Sequence, residues 1–182
     1  VRRVVLGRGK NYSANVFMAN GEKSAEGNGS MPEGARLLFD SGVDVITTGN
    51  HDLRRRQMYD VFDKKIGVIR PANYHSAAPG VGLYIHDGSR FQLAVINLQG
   101  LVYMQSLQSP YDCMESLLRE IDTPNIIVDF HAEATAEKLC FAYHFDGRVS
   151  AIVGTHTPVP TADAFVLPGG TGYTTVLGLG GG

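Results

Sequence analysis

The sequence has few of the features that mark a secreted, membrane-spanning or disulfide-stabilised protein. Only two of its 182 residues are cysteines, Cys113 and Cys140, which is too few for a disulfide scaffold. We expect both to be small buried apolar residues in a reducing, cytoplasmic compartment. No stretch approaches the roughly 20 apolar residues that cross a bilayer. The short basic segment 1–8 lacks the apolar core of a signal peptide.

The sequence also lacks a strong charge of either sign. Sixteen Lys and Arg residues against eighteen Asp and Glu residues give a formal net charge of -2. This balance argues against a surface that coats nucleic acid, but it leaves a small phosphate substrate open. The composition is 43% hydrophobic and 19% charged, as in ordinary globular domains, and no repeat or linker divides the chain. The sequence therefore predicts a single domain over residues 1–182.

Alternating apolar runs and helical patterns predict an α/β fold with a parallel or mixed sheet covered by helices. One antiparallel hairpin is expected around Asp87-Gly88. The first helix is expected to begin with Ser30 as its N-cap and to bury Leu37 and Leu38. The predicted strands are 14–19, 43–48, 67–69, 82–86, 91–97, 125–130 and 149–153, and the predicted helices are 32–40, 54–62, 110–121 and 134–145.

Polar side chains that can bind metal follow four of the predicted strands. They are Glu22, Asn50 with His51, His131 and His156, and Gly21, Gly49 and Gly154 stand beside them. Each alone has a plain structural interpretation, as a loop carboxylate, a turn residue or an ordinary histidine. Because ligands bind beyond the carboxyl ends of strands in open α/β sheets, the coincidence of four favours a metal site. One carboxylate, one amide oxygen and two imidazoles suit Mn, Fe or Zn better than Ca or Mg.

Six segments together resemble the YmdB-like bacterial metallophosphoesterases, a family of the calcineurin-like phosphoesterase superfamily. No single segment is specific, but all six occur in unchanged order over almost the whole chain. They are Asn-Gly-Glu at 20–22, Thr-Gly-Asn-His at 48–51, Arg-Pro-Ala-Asn at 70–73, Ala-Val-Ile-Asn-Leu-Gln-Gly at 94–100, Asp-Phe-His-Ala-Glu-Ala at 129–134, and Val-Gly-Thr-His-Thr at 153–157 with Thr-Ala-Asp at 161–163.

The resemblance implies a four-layer α/β/β/α sandwich with a two-metal phosphoesterase site. It implies phosphodiesterase activity on cyclic nucleotides such as 2′,3′-cAMP. By position, Glu22 resembles the carboxylate that bridges both metals, and Asn50, His131 and His156 resemble the remaining ligands of one metal. His51 resembles the catalytic histidine beside the scissile phosphate. Asp129, Asp163 and backbone carbonyls are candidates for hydrogen bonding to the ligating imidazoles.

The sequence departs from the family pattern at three places that all belong to the other metal site. Segment 4–8 lacks the Gly-Asp-Val-type turn whose Asp is a ligand, Lys23 stands where the family has Asn, and Pro158 stands where it has His. Lys23 is either a fixed replacement charge or a solvated surface lysine. The family also continues beyond 171–175. The resemblance therefore implies a fold shortened at both ends, with one intact divalent-metal site and a second site in doubt.

Two classes of function remain open on these grounds. The first is an active phosphodiesterase or phosphatase whose activity is weakened by the damaged site. The alternative is a non-catalytic metal- or nucleotide-binding domain. The retained set at Glu22, Asn50, His131 and His156 argues against a purely structural subunit. We expect a small phosphate ester or cyclic nucleotide as partner and no membrane, and a homo-oligomer is compatible with the sequence. Metal identity, substrate, and whether the chain is a fragment or a diverged copy stay open.

Overall fold

Two β-sheets flanked by helices make up the fold. The computed structural model describes residues 14–22, 30–51, 53 and 56–178. The smaller sheet is parallel throughout, in the order β1-β2-β3, and its central strand is fully buried. Its continuous apolar character is typical of parallel strands that are covered on both faces. The three strands are β1 (Met18–Asn20), β2 (Val45–Thr47) and β3 (Val68–Ile69).

The larger sheet has six strands in the order β4-β5-β6-β7-β9-β8. Its four inner strands are parallel, and the edge strands β4 and β8 run antiparallel to their neighbours. The predicted hairpin around Asp87-Gly88 is confirmed as β4 and β5. The strands are β4 (Leu83–Asp87), β5 (Gln92–Gln99), β6 (Ile126–Ala132), β7 (Ala151–His156), β8 (Phe165–Val166) and β9 (Gly172–Thr174).

Three separate apolar cores show that the molecule has four layers. One core joins the smaller sheet to two helices, a second lies between the sheets, and a third joins the larger sheet to two more helices. The predicted α/β/β/α sandwich is therefore confirmed. No helix among the described residues is both long and apolar enough to cross a membrane. The helices are α1 (Pro32–Asp40), α2 (Tyr59–Asp63, after a 3-10 turn at Arg56–Met58), α3 (Pro110–Leu118) and α4 (Thr135–His144).

The start of α1 differs from the sequence-based expectation in two respects. Met31 occupies the N-cap position without a side-chain cap, and the Ser30 hydroxyl instead donates to the Gly21 carbonyl at 2.7 Å. Leu37 is 57% exposed, so its predicted burial was wrong, whereas Leu38 packs into the core. The inward face of α1 carries Ala35, Leu38 and Phe39, with the three- and four-residue spacing of one helical stripe. Leu37 falls outside that stripe.

The two cysteines differ in their burial. Cys113 is buried as predicted, but Cys140 is exposed, and both are free thiols. Helix α4 turns Lys138, Phe141 and Ala142 towards the sheet, which leaves Cys140 on the outer side of the helix. The expectations for segment 4–8 and for Lys23 concern residues outside the described part of the chain.

Candidate metal centre

The five residues singled out by the sequence lie at carboxyl ends of strands in both sheets. Glu22 follows β1 and Asn50 with His51 follows β2, so these three come from the smaller sheet. His131 lies near the end of β6 and His156 ends β7, so these two come from the larger sheet. The structure brings all five together where the two sheets meet.

The Nε2 atom of His131 is the centre of this cluster. It lies 3.0 Å from Glu22 Oε2, 3.1 Å from Asn50 Oδ1 and 3.2 Å from His156 Nδ1. Ligand atoms about 2.1 Å from one cation are separated by roughly 3.0–3.5 Å at right or tetrahedral angles. The three distances from His131 Nε2 therefore match those between ligands around one shared cation.

The hydrogen bonds of His131 indicate which of its nitrogens carries the proton. The Thr155 hydroxyl donates its single proton to Asp129 Oδ1 at 2.6 Å, so its oxygen is left to accept from His131 Nδ1 at 2.9 Å. Asp129 Oδ2 accepts in turn from Asn20 Nδ2 at 2.9 Å and from the Thr47 hydroxyl. This pattern assigns the proton to Nδ1 and leaves an unshared lone pair on His131 Nε2.

His156 is arranged in the same way. Its Nε2 lies 2.8 Å from Glu133 Oε2, which assigns the proton to that nitrogen and leaves a lone pair on Nδ1. The backbone at His156 has φ +92°, a left-handed conformation that is rare outside glycine and often marks functional sites. Lone pairs from a carboxylate, an amide oxygen and two imidazoles thus converge. These donors fit a divalent cation.

Gly49 leaves the space that this convergence needs. A Cβ atom at Gly49 would lie 2.3 Å from His131 Nε2 and 2.4 Å from Glu22 Oε1. Gly154 is confined in a similar way, because a Cβ there would lie 1.8 Å from the Thr175 carbonyl oxygen. Both glycines therefore allow close approach of backbone to neighbouring groups, as their place beside the strand ends predicts.

Glu22 is almost completely buried and yet ionised. Burial alone would raise the pKa of Glu22, but hydrogen bonds and positive charge from His131 and His51 in their protonated forms outweigh it and lower this pKa to about 2; a bound cation would take the place of the proton on His131 Nε2. His51 lies against the other carboxylate oxygen, with its backbone N–H donating at 3.0 Å and its Nδ1 at 3.1 Å from Glu22 Oε1. One quarter of the His51 side chain is exposed, whereas His131 is fully buried. The cluster therefore meets solvent on the His51 side.

Within the described ranges, one group of three or more His, Cys, Asp or Glu side chains has metal-binding geometry, and it consists of Glu22, His131 and His156. Their donor atoms lie within 4.8 Å of one another. Pro158, two residues beyond His156, is exposed and has no side-chain donor. Asp163 accepts hydrogen bonds from Thr161 and Thr175 and so ties the segment after β7 to the end of β9.

The sequence analysis assigned no role to three residues that lie at or near the site: Thr155, Glu133 and Lys138. Thr155 and Glu133 fall within segments that resemble the family, which was the available signal. Lys138 is fully buried beneath Gly154, and its ammonium group lies 3.4 Å from the Thr157 hydroxyl. Burial lowers the pKa of Lys138 to about 8, against the opposing effect of nearby carboxylates that include Glu133. Its spacing from Phe141 and Ala142 on the inward face of α4 was the signal for its burial.

Comparison with known proteins gives consistent matches over nearly the whole chain. A 2′,3′-cyclic-nucleotide 2′-phosphodiesterase of Bacillus subtilis (strain 168) is 42% identical over 172 residues, covering 93% of this chain and 65% of the relative. A crystal structure of a hypothetical protein from Thermus thermophilus superposes with TM-score 0.91 at 37% identity, covering 97% of this chain and 71% of that one. A novel phosphatase from Mycoplasma pneumoniae superposes with TM-score 0.89 at 31% identity, covering 97% and 66%.

The chain spans 62–65% of the length of the curated relatives it matches. The sequence model of one family, described as YmdB-like protein, matches residues 2–182. That match includes every strand end that contributes a donor to the cluster around His131. With its fold and its sequence in agreement, the chain belongs to the YmdB-like protein family.

Proposed function

We propose that this chain is the catalytic part of a metal-dependent phosphodiesterase that hydrolyses 2′,3′-cyclic nucleotides in the bacterial cytoplasm. The observation that carries the proposal is the meeting of three lone-pair donors around a fourth, His131 Nε2, with the protons of both imidazoles directed outwards. The 42% identity to the Bacillus subtilis 2′,3′-cyclic-nucleotide 2′-phosphodiesterase supports the substrate class.

Glu22, Asn50, His131 and His156 would hold the cation. A bound divalent cation supplies polarisation of a phosphoryl oxygen and a lowered pKa for bound water. Ionised Glu22 contributes negative charge, and Asn50 and the two neutral imidazoles contribute donors without further charge. Thr155 and Glu133 keep each imidazole in the tautomer that presents its lone pair.

His51 is suited to proton transfer beside this centre. The contact between its Nδ1 and Glu22 Oε1 orients the ring and assigns a proton to that nitrogen. Its Nε2 is then the nitrogen that exchanges a proton with the leaving oxygen of the ester. Its partial exposure suits contact with a substrate that arrives from solvent.

A non-catalytic metal- or nucleotide-binding domain is the second candidate. The observation that favours it is Pro158, which is exposed and offers no donor where the family pattern has a histidine. Such a domain would bind the cation at the same four donors and would leave phosphodiesters intact.

The His51→Ala variant tests the proposed function. We expect hydrolysis of 2′,3′-cAMP to slow by about 10²- to 10⁴-fold, because general acid-base groups contribute that much. Metal content, measured by mass spectrometry of the purified protein, should remain at the wild-type level. His75→Ala, which removes an exposed histidine elsewhere, serves as the matched control.

Two results would change the assignment. Equal loss of metal and of activity in His51→Ala would place His51 among the ligands. A metal-loaded wild-type chain that does not hydrolyse 2′,3′-cAMP or other phosphodiesters would favour the non-catalytic domain.

A further inference from the structure

A tight turn at 101–104 follows β5 at the edge of the larger sheet that adjoins the metal centre. Gln99, the last residue of β5, pairs in register with His131, and the Gly100 backbone N–H donates to the His131 carbonyl at 3.0 Å. On the other side of β6, Ala132 pairs with His156. Adjacent strands are about 4.8 Å apart, so the chain leaves β5 about two strand spacings from the His156 backbone.

The turn is held in place by helix α4. The Glu137 carboxylate accepts the backbone N–H groups of Leu101 at 2.7 Å and Val102 at 3.2 Å. Glu137 lies in the first turn of α4, four residues after Glu133, whose carboxylate contacts His156 from the loop that precedes the helix. The beginning of α4 and the loop before it therefore contact both the metal centre and this turn.

Tyr103 is presented to solvent by this turn in an unusual conformation. The Met104 N–H donates to the Leu101 carbonyl at 3.1 Å, and Tyr103 has φ +62° at the third position of the turn. That position favours Gly or Asn, so a tyrosine there is held against its backbone preference. The side chain is 88% exposed and thus contributes little to any core. A strained, exposed aromatic residue that lies four residues beyond the strand end paired with His131 is a candidate for ligand binding.

We propose that Tyr103 stacks on the base of a nucleotide whose phosphate lies at the metal centre, which makes it a specificity-determining residue. This inference rests on the proposed function, because it requires a nucleotide substrate. Stacking uses the face that all bases share, so Tyr103 selects for a nucleobase and not for one particular base. Val102, 43% exposed beside it, extends the apolar surface.

The test compares 2′,3′-cAMP with a base-free substrate, methyl riboside 2′,3′-cyclic phosphate. We expect Tyr103→Asn to raise the KM for 2′,3′-cAMP by about 5- to 150-fold, the range for losing one base-aromatic stack. The kcat should stay nearly constant, because stacking stabilises the bound and transition states equally. Asn accepts a positive φ, so the turn should persist. The base-free substrate should be hydrolysed by the variant as by the wild type.

Two further variants separate the ring from its surroundings. Tyr103→Phe retains the ring and should behave like the wild type. Tyr143→Ala removes a tyrosine that is 53% exposed on α4 and should leave the KM and kcat for both substrates unchanged. As a readout independent of hydrolysis, calorimetry should show weaker binding of 3′-AMP, but unchanged binding of ribose 5-phosphate, to Tyr103→Asn.

The possible results distinguish failure of the role of Tyr103 from failure of the proposed function. Unchanged kinetics with 2′,3′-cAMP in Tyr103→Asn, or equal losses on both substrates, would overturn the role of Tyr103 and leave the phosphodiesterase function intact. A wild-type chain that hydrolyses both substrates equally well would do the same. A wild-type chain that hydrolyses neither would overturn the proposed function, and the 3′-AMP binding series would then decide on Tyr103 alone.

Discussion

The Nδ1 atom of His131 lies 2.9 Å from the hydroxyl oxygen of Thr155, and this contact determines which nitrogen of His131 is free to bind metal. Thr155 gives its own proton to Asp129, so its oxygen acts as an acceptor towards the imidazole. His131 Nε2 is thereby left unprotonated towards Glu22 and Asn50. Metal affinity should therefore depend on a hydroxyl group that itself binds no metal.

Replacing Thr155 by Val should weaken divalent-metal binding by about 10- to 100-fold, the usual effect of losing an outer hydrogen bond to a ligating histidine. Valine has nearly the same shape and suits a β-strand, so β7 should be preserved. Thr155→Ser keeps the hydroxyl and is the matched control. Competition with a chelator of known affinity measures the dissociation constant. An unchanged constant in Thr155→Val would show that the tautomer of His131 is determined in another way.

Gly49→Ala should abolish metal binding, because its Cβ would occupy the position 2.3 Å from His131 Nε2. The cluster would have to separate to admit the methyl group. Gly172→Ala is the matched control, since the nearest atom to a Cβ there is 3.6 Å away. Metal content by mass spectrometry and secondary structure by circular dichroism should be recorded for both variants. Full metal content in folded Gly49→Ala would contradict the geometry described for the site.

The chain should bind one divalent cation tightly and a second weakly or not at all. Glu22 with water alone offers too little charge and too few donors to hold a second cation beside the first. Pro158→His would add one donor, and Lys23→Asn would restore the residue of the family pattern, so each should raise the occupancy of the second site. Metal stoichiometry and phosphodiesterase rate of the natural chain and the double variant measure this. Two tightly bound cations in the unmodified chain would mean that other residues complete the second site.

Lys138 should make the stability of the fold rise with pH in alkaline solution. Burial lowers the pKa of Lys138 from 10.5 to about 8, so between these values the unfolded chain binds the proton and the folded chain does not. The free energy of unfolding therefore increases with pH across that window. Lys138→Met should lack this increase and should be more stable at pH 7 by on the order of 1 kcal/mol.

Urea denaturation of both chains at pH 7 and pH 10, in the same buffers, provides the measurement for Lys138. The difference between the two chains cancels the titration of groups that they share. An identical pH dependence would show that Lys138 is already neutral at pH 7 or is solvated in the folded chain.

The sequence predicted the alternation of strands and helices well, because most elements are long enough to show a period. The predicted strand at 14–19 was too long: the Phe17 N–H donates to the Asp44 side chain at 2.8 Å, and the observed strand begins at Met18. Strands β8 and β9 were missed, although β2 and β3, which are equally short, were predicted from the apolar runs that contain them. The layered arrangement came from the family resemblance and not from periodicity.

The candidate ligands could be found in the sequence because each follows an apolar run beside a small residue. The contacts that orient them could not. Thr155 reaches Asp129 and His131 only because β6 and β7 pair in one particular register. Register depends on packing between strands that are more than 20 residues apart, so it cannot be predicted from either segment alone. The contact between Glu133 and His156 was also not predictable, because it occurs where the backbone of His156, the last residue of β7, adopts a positive φ.

The division of the metal centre between the two sheets gives the cation a mechanical role. Glu22 and Asn50 come with the smaller sheet, and His131 and His156 come with the larger one. A bound cation would thus join parts of the chain at least 81 residues apart, and its binding energy would stabilise the contact between the two sheets. Cation concentration would then affect the free energy of unfolding as well as the rate of any hydrolysis.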